Sequence, residues 1–225
     1  LIDTQPGAGN NRLPTTHLPH IVIDHHYPLR EHLKIIPYAD VRPEIGATVT
    51  MVDQYMETAG ILADSDLATA MFYALKTDTR GLSRGASTAD KTLYFKLLTQ
   101  IDHNKLSQIE QAGLSQTYFC AFNRGLLAAR VFTQSVVAVL GMMHRPDLAA
   151  EMADLLVRLD KAQAVLCLGF HEKTLHISIR TKPMAQDAGI LIQKVVVPLG
   201  KAGGHGTMAG GQVPLSGQDV NLLVG

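Results

Sequence analysis

The sequence predicts an α/β protein in two parts: a parallel-sheet domain over residues 1–110, a connecting helix over 111–128 and a smaller mixed-sheet α/β domain over 129–225. Three observations lead there. Ile21-Val22-Ile23 is an unbroken β-branched run, which suits a parallel strand covered on both faces. Helical periodicity then dominates up to about residue 98, as expected where helices cover such a sheet. Beyond Ala129 longer β-branched segments alternate with two helical stretches, which points to a second sheet with its own helices.

In chain order, Leu1-Ile2 reads as the end of a strand closed by Asp3, and the polar Gln5-Pro6-Gly7-Ala8-Gly9-Asn10-Asn11-Arg12 as loop. A strand follows over 20–24. Tyr27-Pro28-Leu29 leaves it, because proline cannot continue a ladder. A short strand is expected over 34–38 and a helix over 47–56 with Gly60 as its stop. Asp64-Ser65-Asp66 caps a helix through Leu75, after which Lys76-Thr77-Asp78-Thr79-Arg80-Gly81 reads as a polar loop. Ser87 with Asp90 three positions on begins a helix through Leu98. Residues 104–129 contain no proline and read as one continuous connecting helix with the domain boundary inside it. The second part opens on a strand over 131–142 and a helix from Pro146-Asp147 through Leu159. A hairpin follows over 163–170 and 174–180, its second strand setting a wet face of His176, Ser178 and Arg180 against Leu175, Ile177 and Ile179. A last helix over 188–197 precedes the glycine-rich stretch 200–211.

Composition narrows the function. Twenty basic residues balance twenty acidic ones, which disfavours broad capture of a long nucleic acid but permits a local phosphate pocket. No apolar run is long enough to cross a membrane, and no membrane partner is expected. Cys120 and Cys167 lie far apart in apolar surroundings and read as reduced core thiols, which suits a cytoplasmic location. No signal or transit segment is visible, and the opening on Leu1-Ile2 without an initiator Met suggests a piece of a longer protein.

The chemistry centres on Asp24-His25-His26, at the carboxyl end of the 20–24 strand, the rim where open α/β sheets bind ligands. Adjacent strand residues point to opposite faces, so His25 and His26 are expected to do different jobs. Asp3 and Asp78 each follow an apolar element, and carboxylate plus imidazole suits Mn²⁺ or Mg²⁺ better than thiolate-seeking metals. Taken singly, an aspartate after a strand is more often a cap or turn former. Near the end, Gly203-Gly204-His205 sits in a stretch whose glycines allow backbone N–H groups to cradle an anion, although an edge hairpin turn explains glycines equally well. Arg180 offers a planar fork that could pair with phosphate, or an ordinary solvated charge.

Val22-Ile23-Asp24-His25-His26, with Asp3 upstream, Thr77-Asp78-Thr79 downstream and Gly203-Gly204-His205 near the end, resembles in that order the DHH phosphoesterase superfamily with its DHH-associated C-terminal domain. The branch it resembles best is that of the oligoribonuclease and pAp-phosphatase enzymes, related to RecJ exonuclease and family II pyrophosphatases. The resemblance covers essentially the whole chain. It implies that Asp3 bridges two metal ions, that His25 ligates one of them and that Asp78 is a further ligand. His26 would be the catalytic residue facing the substrate phosphate, with Asp24 orienting the catalytic set. Arg180, Gly203, Gly204 and His205 would bind substrate. Two departures stand out: the family's first motif, a His with two Asp residues, is absent and expected N-terminal to Leu1, and Ala202 replaces a usual glycine.

The implied activity is two-metal hydrolysis of short oligonucleotides or pAp, with two Mn²⁺ ions in the complete protein and Mg²⁺ as a substitute. Expected partners are a short oligonucleotide or nucleotide substrate, with a homodimer as a compatible assembly. Without first-motif ligands the chain alone is expected to be inactive. A pyrophosphatase or exopolyphosphatase, and a non-catalytic nucleotide-binding module, are the competing readings.

Overall fold

The computed structural model describes residues 1–8, 11, 13, 14, 16–197 and 199–215, with His205 described by its backbone alone. The chain is an α/β protein that divides into two compact units, Leu1–Gly113 and Leu114–Gly225.

In the first unit, β1 (Ile21–Asp24) and β2 (Tyr38–Val41) pair in parallel from Ile21↔Tyr38 to Asp24↔Val41. Ile2 forms a parallel bridge to Ile23, so the chain start runs beside β1. The expected strand over 34–38 comes later in the sequence, because Glu31–Ile35 winds as a 3-10 helix and pairing begins at Tyr38.

Helices α1 (Thr48–Thr58), α2 (Ser65–Asp78), α3 (Thr88–Leu98) and α4 (His103–Glu110) complete the unit. The starts of α2, α3 and α4 follow side-chain capping, whereas α1 begins after Ala47 without one. The Asp64 carboxylate accepts from the Leu67 N–H at 2.8 Å, and Ser87 with Asp90 forms a reciprocal capping box. Phe72 and Leu75 of α2 pack with Leu93 and Leu97 of α3. Leu75 is 0% and Leu97 1% exposed, and burial of each contributes roughly 1.5–3 kcal/mol.

The predicted continuous helix over 104–129 is two helices. It breaks after Glu110, and Ser115 caps α5 (Gln116–Ala128) by accepting from the Tyr118 N–H at 3.2 Å. Helix α5 is no bare connector, since Ala121 belongs to the core of the second unit. Its buried stripe runs through Ala121 and Gly125, which leaves Cys120 exposed rather than in the core; Cys167 is buried.

The second unit holds β3 (Arg130–Phe132), β4 (Ser135–Met142), α6 (Leu148–Leu156), β5 (Ala164–His171), β6 (Thr174–Thr181), α7 (Ala188–Val196), β7 (Lys201–His205) and β8 (Met208–Pro214). The strand expected over 131–142 is therefore the hairpin β3–β4. The six-stranded sheet has the order β3-β4-β5-β6-β8-β7, with β4 and β5 parallel and every other pair antiparallel. Ala121 of α5 and Met152 of α6 pack with Val136 and Val165, while Ile192 and Val196 of α7 pack with Ile177 and Ile179.

This layering corrects the expected wet face of β6. Ser178 and Arg180 are 4% and 8% exposed, because α6 packs on β6 and supplies Asp154 as a partner for Arg180. The glycine-rich stretch is also mostly strand. It forms the β7–β8 hairpin at the sheet edge, from Lys201↔Gln212 to His205↔Met208. Among the described residues, no helix is long and apolar enough to cross a membrane.

Candidate metal centre

The site forms where β1 stops. Asp24 is its last residue, so His25 and His26 lie beyond the ladder and the strand alternation expected to separate them does not apply. Their rings come together, with centroids 4.4 Å apart and planes at 59°. Asp3 arrives alongside: its N–H donates to the Ile23 carbonyl at 2.9 Å, and its φ of 60° turns the chain out of the sheet. One ligand atom each from Asp3, His25 and His26 lie within 4.8 Å of one another. His25 Nε2 is 3.5 Å from Asp3 Oδ1, which also accepts from Thr48 Oγ1 at 2.7 Å at the start of α1.

Each imidazole is held through its other nitrogen. His25 Nδ1 is 3.0 Å from the Ile45 carbonyl oxygen, which can only accept, so the proton belongs on Nδ1 and Nε2 keeps its lone pair. His26 Nδ1 donates to Asp24 Oδ1 at 2.7 Å and leaves Nε2 free of that contact. The two histidines thus share a neighbourhood but have different anchors, one neutral and one anionic.

Asp24 is 0% exposed, and Gln5 donates to its other oxygen at 2.8 Å. Burial pushes this carboxyl up, but the hydrogen bonds from His26 and Gln5 outweigh it and hold Asp24 below the ordinary carboxylate value. Gln5 also donates to the His26 carbonyl and accepts from the Arg30 N–H, which locks the loop on both sides of the site. Neither Gln5 nor Thr48 carries a sequence signal for this role, since one sits in a polar loop and the other looks like any helix-start threonine. The hydrogen bond to Asp24 raises His26 above the ordinary imidazole value against partial burial, helped by the charges of Asp24, Asp3 and Asp78.

Asp78 does not sit in a loop as expected; it is the last residue of α2. Lys76 and Thr77 are polar yet helix-compatible, so the helix runs past Leu75 and closes at Thr79, whose N–H returns to the Leu75 carbonyl. Burial raises the Asp78 carboxyl above its ordinary value, followed by the charge of Asp3, against the opposing charges of His25, Arg84 and His26. A carboxylate at the negative end of a helix dipole and facing Asp3 is one that a cation would relieve.

The donor set fits a hard divalent ion: the Asp3 carboxylate with imidazole nitrogens, each residue oriented by a hydrogen bond, and no thiolate in the group.

The substrate-binding candidates belong to the second unit. Arg180 spends its fork on Asp154, at 2.7 Å from Nε to Oδ1 and 3.2 Å from Nη2 to Oδ2, and on Ser178 Oγ at 2.9 Å. Gly204 has φ of 134°, and a Cβ there would meet the Met208 carbonyl oxygen at 2.4 Å, so tight hairpin pairing by itself demands glycine. A Cβ on Gly203 would meet nothing within 4 Å. The His205 side chain lies outside what the structure describes.

With this geometry in hand, comparison with known proteins gives the fold and a distant relative. No protein-family model matches the sequence. An uncharacterized protein of Methanocaldococcus jannaschii is 31% identical over 196 residues, which are 87% of this chain and 40% of that protein. The chain therefore spans about 40% of the length of the curated relative it matches. Among solved structures, an exopolyphosphatase-related protein from Bacteroides fragilis matches 91% of this chain and 61% of its own, at a TM-score of 0.69 and 16% identity. The likeness shows a shared fold. A pGpG-specific phosphodiesterase from Vibrio cholerae matches 91% of this chain and 76% of its own, but its TM-score of 0.39 and 12% identity are too low to argue from. The small parallel sheet and six-stranded mixed sheet make this an α/β protein that shares its fold with the exopolyphosphatase-related structure.

Proposed function

We propose that the chain is part of a divalent-metal-dependent phosphoesterase of the DHH kind, using Mn²⁺ with Mg²⁺ as a substitute, and acting on short oligonucleotides or pAp. The observation that carries this reading is the oriented group of Asp3, His25 and His26 beside Asp78. A divalent cation held there supplies Lewis acidity for the attacking water and the phosphoryl oxygens. Asp3, His25 and Asp78 are its proposed ligands.

His26 has a different task in this reading. Its Nδ1 proton is fixed on Asp24 and its proton affinity is raised, so it can present positive charge to a phosphoryl oxygen. Gln5 and Asp24 keep the ring from turning. The balance of twenty basic and twenty acidic residues favours a short anionic substrate over a long polymer. Substrate contacts by Arg180, Gly203, Gly204 and His205 remain part of the proposal. For Arg180 they require that its guanidinium share or leave Asp154.

The fold shared with an exopolyphosphatase-related protein keeps one other reading in play, hydrolysis of a phosphoanhydride rather than a phosphoester. One experiment separates them. Mn²⁺ binding is measured by calorimetry for the wild type, His25→Ala and Asp3→Ala, and hydrolysis of a dinucleotide, pAp and tripolyphosphate is assayed alongside. The proposal expects saturable Mn²⁺ binding lost in both variants, and turnover of the dinucleotide or pAp by the full-length protein that depends on His25. Wild-type activity of His25→Ala at saturating Mn²⁺ overturns the site, and exclusive turnover of tripolyphosphate transfers it to the phosphoanhydride reading.

A further inference from the structure

The turn end of the β5–β6 hairpin in the second unit carries two histidines that the Asp3 centre does not use. His171 pairs with Thr174 and Gly169 with His176, so alternation puts His171, Gly169 and His176 on one face of the hairpin. The two imidazoles stand with centroids 6.2 Å apart and planes at 60°. An ion about 2 Å from one nitrogen of each ring holds the ring centres roughly 5–6.5 Å apart, so this spacing suits a shared ion.

A third donor comes from the end of β4. The ladder between β4 and β5 shifts register between Val139 and Met142, with Gly141 at φ of 66° inside the shift. A bulge of this kind re-aims the side chains that follow it. Just beyond, the Met143 N–H donates to the Phe170 carbonyl at 2.6 Å. Met143 Sδ then lies only 2.4 Å from where a Gly169 Cβ would stand, which sets the thioether beside the residue paired with His176. The carbonyl of the same Met143 is 3.2 Å from His171 Nδ1, and because a carbonyl only accepts, the proton belongs on Nδ1 and Nε2 keeps its lone pair. His176 makes no hydrogen bond to the other described residues, and none of its nitrogens is sealed from solvent. Burial, and then the charge of His171, hold it below the ordinary imidazole value against the charge of Asp147, so it is neutral at pH 7.

The donor chemistry selects the ion. Among the described residues, no carboxylate, thiolate or further imidazole joins His171 and His176 in a group of three such as Asp3, His25 and His26 make. Two neutral imidazoles and a thioether leave a divalent charge uncompensated and fall short of the four ligands of a structural zinc site, but they match a soft monovalent ion. We propose that His171, His176 and Met143 form a site for Cu⁺, separate from the Asp3 centre and independent of the phosphoesterase reading. An ion there ties the end of β4 to the hairpin turn.

The test first removes competing ligands. Every measurement uses the full chain carrying Cys120→Ser and His25→Ala, because Cys120 is exposed and the rings of His25 and His26 also adjoin. Cu⁺ is titrated anaerobically with ascorbate against a chromophoric Cu⁺ chelator, and Zn²⁺ and Mn²⁺ are titrated by calorimetry. One equivalent of Cu⁺ is expected to bind, at least tenfold more weakly when His171→Ala, His176→Ala or Met143→Leu is added, and more tightly than Zn²⁺ or Mn²⁺. Met143 is 3% exposed and its variant can disturb the core, whereas His176 is half-buried, so His176→Ala keeps the test valid if Met143→Leu does not fold. No stoichiometric Cu⁺ binding, undiminished affinity in His176→Ala or in a folded Met143→Leu, or Zn²⁺ binding as tight as Cu⁺ overturns the proposal.

Discussion

The histidines after β1 and Arg180 on β6 are polar groups on or just past a strand, and the two units finish them in opposite ways. His25 and His26 each commit one nitrogen, to the Ile45 carbonyl and to Asp24, and keep the other. Arg180 commits four of its five N–H donors to Asp154, Ser178 and a backbone carbonyl while 8% exposed. A side chain oriented by one partner with a valence left over is built to receive something. One whose donors are mostly spent mainly holds its neighbours in place. Asp90 makes the same contrast inside the first unit: it is 0% exposed and accepts from Gly46, Thr50 and Ser87, whereas Asp78 is raised by burial with the charge of Asp3 facing it.

The contrast can be broken most forcefully at Arg180. Asp154→Ala strands a guanidinium that is 9% exposed, whereas Arg180→Met leaves a carboxylate that is 42% exposed and can be rehydrated. Urea denaturation should therefore show a loss of about 3 kcal/mol for Asp154→Ala and clearly less for Arg180→Met. Equal losses would mean that the arginine is not the committed structural charge described here.

Asp90 gives the next effect. Asp90→Asn turns a filled acceptor into a donor facing donors and should cost about 2 kcal/mol. The pH dependence follows from the sign of its shift. Burial pushes Asp90 up, but its hydrogen bonds from Ser87, Thr50 and Gly46 hold it below the ordinary value. Its stabilisation is therefore complete above the unfolded value of about 3.9 and is lost as pH falls through the lower folded value. Acid titration of stability should be shallower in Asp90→Asn than in wild type, and an unchanged profile would contradict the assignment.

The smallest effect concerns orientation alone. Asp24→Asn keeps the shape but removes the charge that fixes the His26 tautomer, and turnover by the full-length protein should fall about tenfold, or about 1.4 kcal/mol in the barrier, at unchanged Mn²⁺ affinity. Unchanged turnover would make Asp24 a core tie rather than part of the site.

Much of this was readable in the residues. The β-branched Ile21-Val22-Ile23 run marked β1, and Ser87 with Asp90 marked the start of α3, because both signals are local. The break after Glu110 also had its marks, in Gly113 and the cap at Ser115, but helix-compatible neighbours outweighed them. Local pattern failed where tertiary packing decides. Alternation along β6 is real, yet α6 covers the face that alternation assigned to water. Likewise the adjacent histidines come together because β1 ends one residue before them, which no periodicity reveals. Asp78 was read as a polar loop residue following an apolar helix, but the helix reached it.

The central claim is that Asp3, His25 and Asp78 hold a divalent cation while the charges of the second unit do not. Mn²⁺ titration of the wild type, His25→Ala and Arg180→Met, followed by electron paramagnetic resonance of the free ion, tests it most directly. The account predicts saturable binding in the wild type and Arg180→Met and its loss in His25→Ala. Undiminished binding in His25→Ala would contradict it.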